Sequence, residues 1–425
     1  MILKNVTFLN KNMKFETRDI EITDGEISFN IDSHTNNNMD CEDYIVIPGL
    51  INGHFHSYSS LAKGLMKEMA LPDWCNDSEQ GKVQQAFFEY LDEVISEEDF
   101  VHIAQKSYLD MMKHGVTFVS DSDPGEAPHL LHDAMNEIGI RAMIDVYEDI
   151  GDYVQQTDSN VSFGSHLLEE EDITNEELLK VKELKDQYNP IMMTHCLENE
   201  WRSNLVQANF GKSSISLYDE LNLLDEKTVL FHTVYASNED LDVISRNESS
   251  IVHCPLSNLD TGAGVAKVNE MLERNINVCL GTDFVHTNMW DLMKLTYYLL
   301  KINQPVNQYA AEDIFKMATV NGAKAYGVHE EIGQIQEGYK ADFVFLKKSS
   351  LKPLIHQRNF STYLHNLLFS EQTDLVQHVM INGNWVVKDR KVLTVNEEEI
   401  NEKYSQIVNG FLNHLKQSTL HKQEH

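Results

Sequence analysis

Cysteine is scarce and unpaired in this 425-residue chain: Cys41, Cys75, Cys196, Cys254 and Cys279 form no Cys-x-x-Cys spacing, and an odd count suits no disulfide framework. Positive charge is short as well. Thirty-four basic residues face 67 acidic ones, and a formal charge of -33 repels nucleic acid phosphates and anionic lipid head groups, so neither is expected as a partner. No run of about 18 apolar residues occurs that could cross a membrane. The first ten residues lack a basic start followed by an apolar stretch, and together with the free thiols this reads as a cytoplasmic protein. Low-complexity sequence is confined to the polar stretch 33–39, read as a surface loop.

What the chain does contain is the composition of a globular protein with a large core, 42% apolar and 24% charged. Its length suits one large domain with a smaller companion. Residues 1–47 alternate apolar and polar in short runs, with Asp24-Gly25 marking a hairpin. The same texture returns in 341–346 and in 376–387, around Asn382-Gly383. The two ends are therefore expected to pair into one small β-sandwich, residues 1–47 and 334–396, with residues 397–425 as a C-terminal helix and tail. Between them, residues 48–333 repeat short apolar runs ending in Gly, Asp or His, separated by helical spacing. That is the pattern of a parallel (β/α)8 barrel, an α/β fold. Its eight strands are expected at 45–47, 116–120, 142–146, 161–163, 191–194, 229–231, 251–252 and 278–280.

Several of these runs end in groups that bind metals. Pro48-Gly-Leu-Ile-Asn-Gly-His-Phe-His56 places His54 and His56 two apart, on the same face of a strand. Alone the pair is weak evidence, because 19 histidines in 425 residues bring one such spacing close to chance. Its company carries the weight: the fifth run ends at His195, the sixth at His232 and the eighth at Asp283. In a barrel these C-terminal ends converge on one mouth. Three imidazoles and a carboxylate suit one divalent ion, zinc first and iron second, with a position left for water. Such an ion lowers the pKa of bound water from about 15.7 toward 7, a nucleophile that needs no Ser or Cys. Glu198, three residues past His195, is the candidate proton shuttle. Trp74, on the loop after the first strand, is a candidate wall of the pocket. The fourth run has no lysine to bridge a second ion, and the Pro-Cys-x-x-Cys signature of the other zinc deaminases is absent.

At these positions the chain resembles the deaminase and chlorohydrolase branch of the amidohydrolase superfamily, close to its cytosine deaminase-like and methylthioadenosine/S-adenosylhomocysteine deaminase-like members. The matching blocks are the 48–56 segment, Thr194-His-Cys-Leu-Glu198, Phe231-His-Thr-Val, Val252-His-Cys-Pro-Leu-Ser-Asn258, Leu280-Gly-Thr-Asp283, 318–323 and 332–342. They run almost end to end in the family's order. The resemblance implies that His54, His56, His195 and Asp283 hold the metal, that Glu198 protonates a ring nitrogen, and that His232 with Asp283 orients or deprotonates the attacking water. The implied reaction is hydrolytic deamination of an aminated heterocycle, a purine, pyrimidine or nucleoside, with ammonia released. It also implies substrate contacts from His166, Asp92 and Asn288, with Asn258 near the mouth, and a homodimer. After His166 the family's aromatic and Thr-containing continuation is replaced by Leu-Leu-Glu-Glu-Glu171. Loss of chloride or of an imino group on the same site is the rival chemistry, and a non-catalytic barrel scaffold the rival class.

Overall fold

Eight parallel strands, Leu50–Phe55, Val116–Asp121, Arg141–Val146, Val161–His166, Met192–Cys196, Thr228–His232, Ser250–His253 and Asn277–Leu280, pair neighbour to neighbour in chain order in the computed structural model. The structure describes residues 1–31, 37–66, 68–74, 76–122, 128–147, 150–153, 160–357, 360–370 and 374–421. The ring closes between the last strand and the first. Phe55 bridges Asp283, and the Asp283 N–H donates to the His54 carbonyl at 2.9 Å. Helices fill most of the intervals, giving the expected (β/α)8 barrel.

The strands are buried almost throughout because both of their faces are covered, which is why they read as apolar runs rather than as alternation. Side chains still alternate in destination. Ile51, Phe118, Met143, Met193, Val229 and Phe231 fill the barrel interior, while Leu50, Val116, Met192 and Leu230 pack beneath the surrounding helices. Strand eight can approach strand one closely only because residue 281 is glycine. A Cβ there would lie 2.7 Å from Val252 Cγ1 and 2.8 Å from the His54 backbone nitrogen. Beside it Asn52 and Thr282 exchange two hydrogen bonds, of 2.7 and 2.9 Å, across the closure.

The first strand is not where the sequence places it. Residues 45–47 belong to Tyr44–Pro48, which pairs with Ile2–Leu9 on one side and Phe343–Lys347 on the other. The barrel begins after Gly49, where the chain passes from one sheet to the next. Two apolar runs flank Pro48-Gly49, and only long-range pairing distinguishes them. The other seven strands fall where expected, to within a residue or two at their starts.

Both chain ends share the second sheet. Its path runs Lys391–Val392, Asn384–Lys388, Val376–Ile381, Phe343–Lys347, Tyr44–Pro48, Ile2–Leu9, Phe15–Thr23, Glu26–Ser28, with Asn38–Asp40 beside Ile2–Lys4. Hydrogen bonding joins both chain ends in this one sheet, as expected, because Tyr44–Pro48 accepts an N-terminal and a C-terminal neighbour at once. Asp24-Gly25 and Asn382-Gly383 take positive φ, as two-residue hairpin turns require. Of the expected loop at 33–39, residues 33–36 lie outside the described residues and Asn38–Met39 are in a strand. Helix Glu397–His421 buries Ile400, Ile407 and Phe411 along one stripe against the helices Glu79–Glu89 and Glu97–Lys113. No helix among the described residues is long and apolar enough to cross a membrane.

Candidate metal centre

Strand periodicity and closure together deliver the ligand set. His54 and His56 leave the end of strand one, His195 stands on strand five across the barrel, and Asp283 follows strand eight at the seam. Ligand atoms of these four residues all lie within 4.8 Å of one another. His54 Nε2 and His56 Nε2 are 3.2 and 3.4 Å from Asp283 Oδ1, and the Nε2 atoms of His56 and His195 face each other at 3.3 Å. His232, on strand six, approaches the other carboxylate oxygen, with Nε2 3.7 Å from Oδ2. Phe231 stacks on His54 with ring centroids 3.9 Å apart and forms the apolar floor.

Burial and charge suit these groups to a cation. Burial, resisted by Asp283, lowers the His54 imidazole to about 4, and burial with the neighbouring His54 holds His56 well below its ordinary value. Burial works to raise Asp283, but the imidazoles of His54, His232 and His56 keep it well below the usual carboxylate range. The result is two neutral imidazoles, His54 and His56, beside an ionised carboxylate, while at His195 burial is outweighed by Glu169, which raises that ring. His54 Nε2, His56 Nδ1 and His232 Nε2 are buried without a hydrogen-bond partner, and an ion in the cluster would satisfy the first of them. The donor set fits a divalent metal.

Three of the four rings are fixed from behind. His54 Nδ1 faces Ser122 Oγ at 3.3 Å, His232 Nδ1 faces Asn258 Oδ1 at 2.7 Å, and His195 Nδ1 faces Glu169 Oε1 at 2.5 Å. Backbone strain gathers here too. Leu197, His232 and Asp283 all adopt positive φ, which L residues take only where packing enforces it. Buried Glu170 holds the Leu197 turn, its Oε1 accepting from the Leu197 N–H at 3.0 Å and from Ser214 Oγ at 2.5 Å. Burial pushes the Glu170 carboxyl up to about 7 against those two bonds.

A cavity of about 280 Å³ opens over the cluster. That is near the low end for a small-molecule site. Tyr58, Trp74, Tyr147 and Phe284 give it aromatic walls, and Glu198 and Arg202 face it from the helical side. Glu198 is nearly buried at 5% exposure, and its Oε2 accepts from Arg202 Nη1 at 2.9 Å.

Three expected substrate contacts do not line this cavity. His166 is covered by Tyr147, the rings stacked 3.8 Å apart, with Nδ1 3.0 Å from Asp145 Oδ2. Asp92 is exposed on the turn Tyr90–Val94, whose inward residue is Tyr90, packed on Phe411. Asn288 caps the helix Met289–Leu299, accepting from the Trp290 N–H, and borders a separate hollow beside His114. Trp74 does line the cavity. Sequence reasoning missed Glu169, Arg202 and Tyr147. Of these, only Glu169 left a trace, in the run of three glutamates after His166.

A divalent-metal site at the carboxyl ends of a (β/α)8 barrel, formed by three histidines and an aspartate, defines a class of barrel hydrolases. The chain belongs to one family of that class: the model of the amidohydrolase family matches residues 45–386. It is 29% identical over 410 residues to a 5-methylthioadenosine/S-adenosylhomocysteine deaminase of Pyrococcus abyssi, covering 90% of this chain and 91% of that protein. It is also 29% identical over 419 residues to a 5'-deoxyadenosine deaminase of Methanopyrus kandleri, covering 89% and 91%. Among solved structures, an adenosine deaminase from Xanthomonas campestris with bound zinc superposes with a TM-score of 0.86 at 19% identity, covering 98% of each chain. The zinc complex of atrazine chlorohydrolase from Arthrobacter aurescens gives 0.82 at 17% identity, covering 96% and 99%. At those identities the likeness is one of fold.

Proposed function

We propose that this protein is a hydrolytic deaminase of an amino-substituted heterocycle, an adenine-type base or nucleoside in first place, exchanging the ring amino group for oxygen and releasing ammonia. The observation that carries it is Glu198, a nearly buried carboxylate in the wall of the cavity over the His54, His56, His195 and Asp283 cluster. The names of the deaminases that match the chain almost end to end support it.

His54, His56, His195 and Asp283 would hold the ion, zinc in this reading. When bound, it would acidify a water ligand enough to serve as nucleophile at neutral pH. His232 and the Asp283 carboxylate take the proton from the attacking water. Glu198 donates a proton to the ring nitrogen beside the reacting carbon and later relays one to the departing amine. Tyr58, Trp74, Tyr147 and Phe284 sandwich a planar ring and exclude water. A homodimer in the cytoplasm acting on a small molecule, and not on nucleic acid, completes the proposal, the charge of -33 opposing a polyanion.

The test is ammonia release by metal-loaded protein across a panel of aminopurines, aminopyrimidines and their nucleosides, run beside chlorinated and imino analogues. Ammonia from at least one amine is expected. Chloride release or imine hydrolysis without any deamination would transfer the site to the rival chemistry, for which the chlorohydrolase likeness is the support. No turnover of any compound by protein carrying stoichiometric metal would favour the scaffold.

A further inference from the structure

Glu169, in the Leu167-Leu-Glu-Glu-Glu171 run after His166, has a specific position. Glu169 Oε1 lies 2.5 Å from His195 Nδ1, on the side of the ring opposite the cluster. The same oxygen is 3.4 Å from His166 Nε2, and Oε2 is 3.2 Å from Arg202 Nη2. Arg202 is fixed in turn by two bonds to Glu171 Oε1, of 3.0 and 2.7 Å, and by its contact with Glu198. Glu169 thus presents Oε1 to two imidazoles, with His195 much the nearer, while Arg202 holds Oε2.

We infer that Glu169 is the positioning residue for the metal ligand His195, its carboxylate holding the Nδ1–H tautomer so that Nε2 turns its lone pair to the ion. An imidazole free to rotate or change tautomer presents that lone pair only part of the time. A carboxylate against the far nitrogen removes that freedom and makes the ring a stronger donor. Asn258 does the same for His232 with a neutral amide oxygen and Ser122 faces His54 with a hydroxyl. Among the rings of the ligand set and His232, His195 is the one these contacts back with a full negative charge. Arg202 keeps that charge from swinging away. Because it touches both Glu169 and Glu198, it also sets the distance between the His195 side of the site and the proton-transfer carboxylate.

The inference rests on the metal reading above, and its test separates the two. Zinc affinity of the full-length protein is measured by competition with a chromophoric chelator, and the visible absorption of the cobalt-substituted protein is recorded. Four proteins are compared: wild type, Glu169→Ala, Glu169→Gln and Glu171→Gln. Loss of such an orienting partner weakens metal binding roughly 10- to 100-fold. Glu169→Ala is expected at the upper end of that range with an altered cobalt spectrum. Glu169→Gln, which keeps an acceptor oxygen but not the charge, is expected at the lower end, and Glu171→Gln, which touches only Arg202, at the wild-type value. If Glu169→Ala fails to fold, as judged by circular dichroism of the metal-free protein, the isosteric Gln variant decides. Wild-type affinity and spectrum in Glu169→Gln would overturn the inference alone, as would an equal loss in Glu171→Gln, which would mean a general charge effect. A wild-type protein that takes up no metal would remove the metal centre itself and this role with it.

Discussion

Glu170 offers a measurement of how much the Leu197 turn costs. Its carboxyl is pushed up from an ordinary value of 4.5 to about 7, mainly by burial, while its two hydrogen bonds favour the ionised form. Below pH 4.5 the group is protonated in both folded and unfolded chains and contributes nothing to the pH dependence. Between 4.5 and 7 the folded protein keeps a proton that the unfolded chain has released, so stability falls as pH rises through this window and levels off above it. At about 1.4 kcal/mol per pH unit, the gap amounts to roughly 3 kcal/mol. Glu170→Gln keeps an oxygen for the Leu197 N–H and Ser214 while removing the titration. The variant should match wild type at pH 4.5 and exceed it by roughly 3 kcal/mol at pH 8. Urea unfolding of both metal-free proteins at the two pH values, followed by tryptophan fluorescence, reads the difference directly. A variant with the same offset from wild type at both pH values, or one less stable at pH 8, would refute the reasoning.

Three further outcomes follow from the site and the seam. Glu198→Gln should lower kcat about 100- to 10,000-fold, the range for a lost proton-transfer group, while metal content by atomic emission stays stoichiometric. Asp283→Ala and His54→Ala should each leave the purified protein without stoichiometric metal, and dialysis of wild type against a chelator should abolish turnover until metal is restored. Gly281→Ala should lose about 1–3 kcal/mol in urea unfolding and bind zinc more weakly, because the new methyl meets His54 and Val252 at 2.7–2.8 Å. Unchanged stability there would mean that strand eight is free to shift.

Much of this was readable in one dimension. Seven barrel strands could be located because a doubly covered strand is apolar along its whole length, and His195, His232 and Asp283 each mark where such a run ends. The failures share a cause. The run at 45–47 resembles a barrel strand, yet its partners are residues near 7 and near 345, and no local pattern carries that pairing. His166, Asp92 and Asn288 were placed by family position. Their side chains are instead claimed by Tyr147 and Asp145, by an outward turn and by a helix cap, choices made by neighbours distant in sequence. Arg202 was invisible for the same reason, since an arginine on a helix is ordinary until the glutamates it meets are known.

The closure between Asn52 and Thr282, 230 residues apart, has a consequence for how the protein is made. A ribosome delivers His54 and His56 early, His195 midway and Asp283 late, and the first strand has no partner on its open side until strand eight emerges. A nascent chain therefore carries an incomplete set of donors through most of its synthesis. Only the arrival of the Leu280-Gly281-Thr282-Asp283 segment joins the two edges and completes the site in one event. Closure of the strand ring and completion of the four-residue donor set are one and the same event.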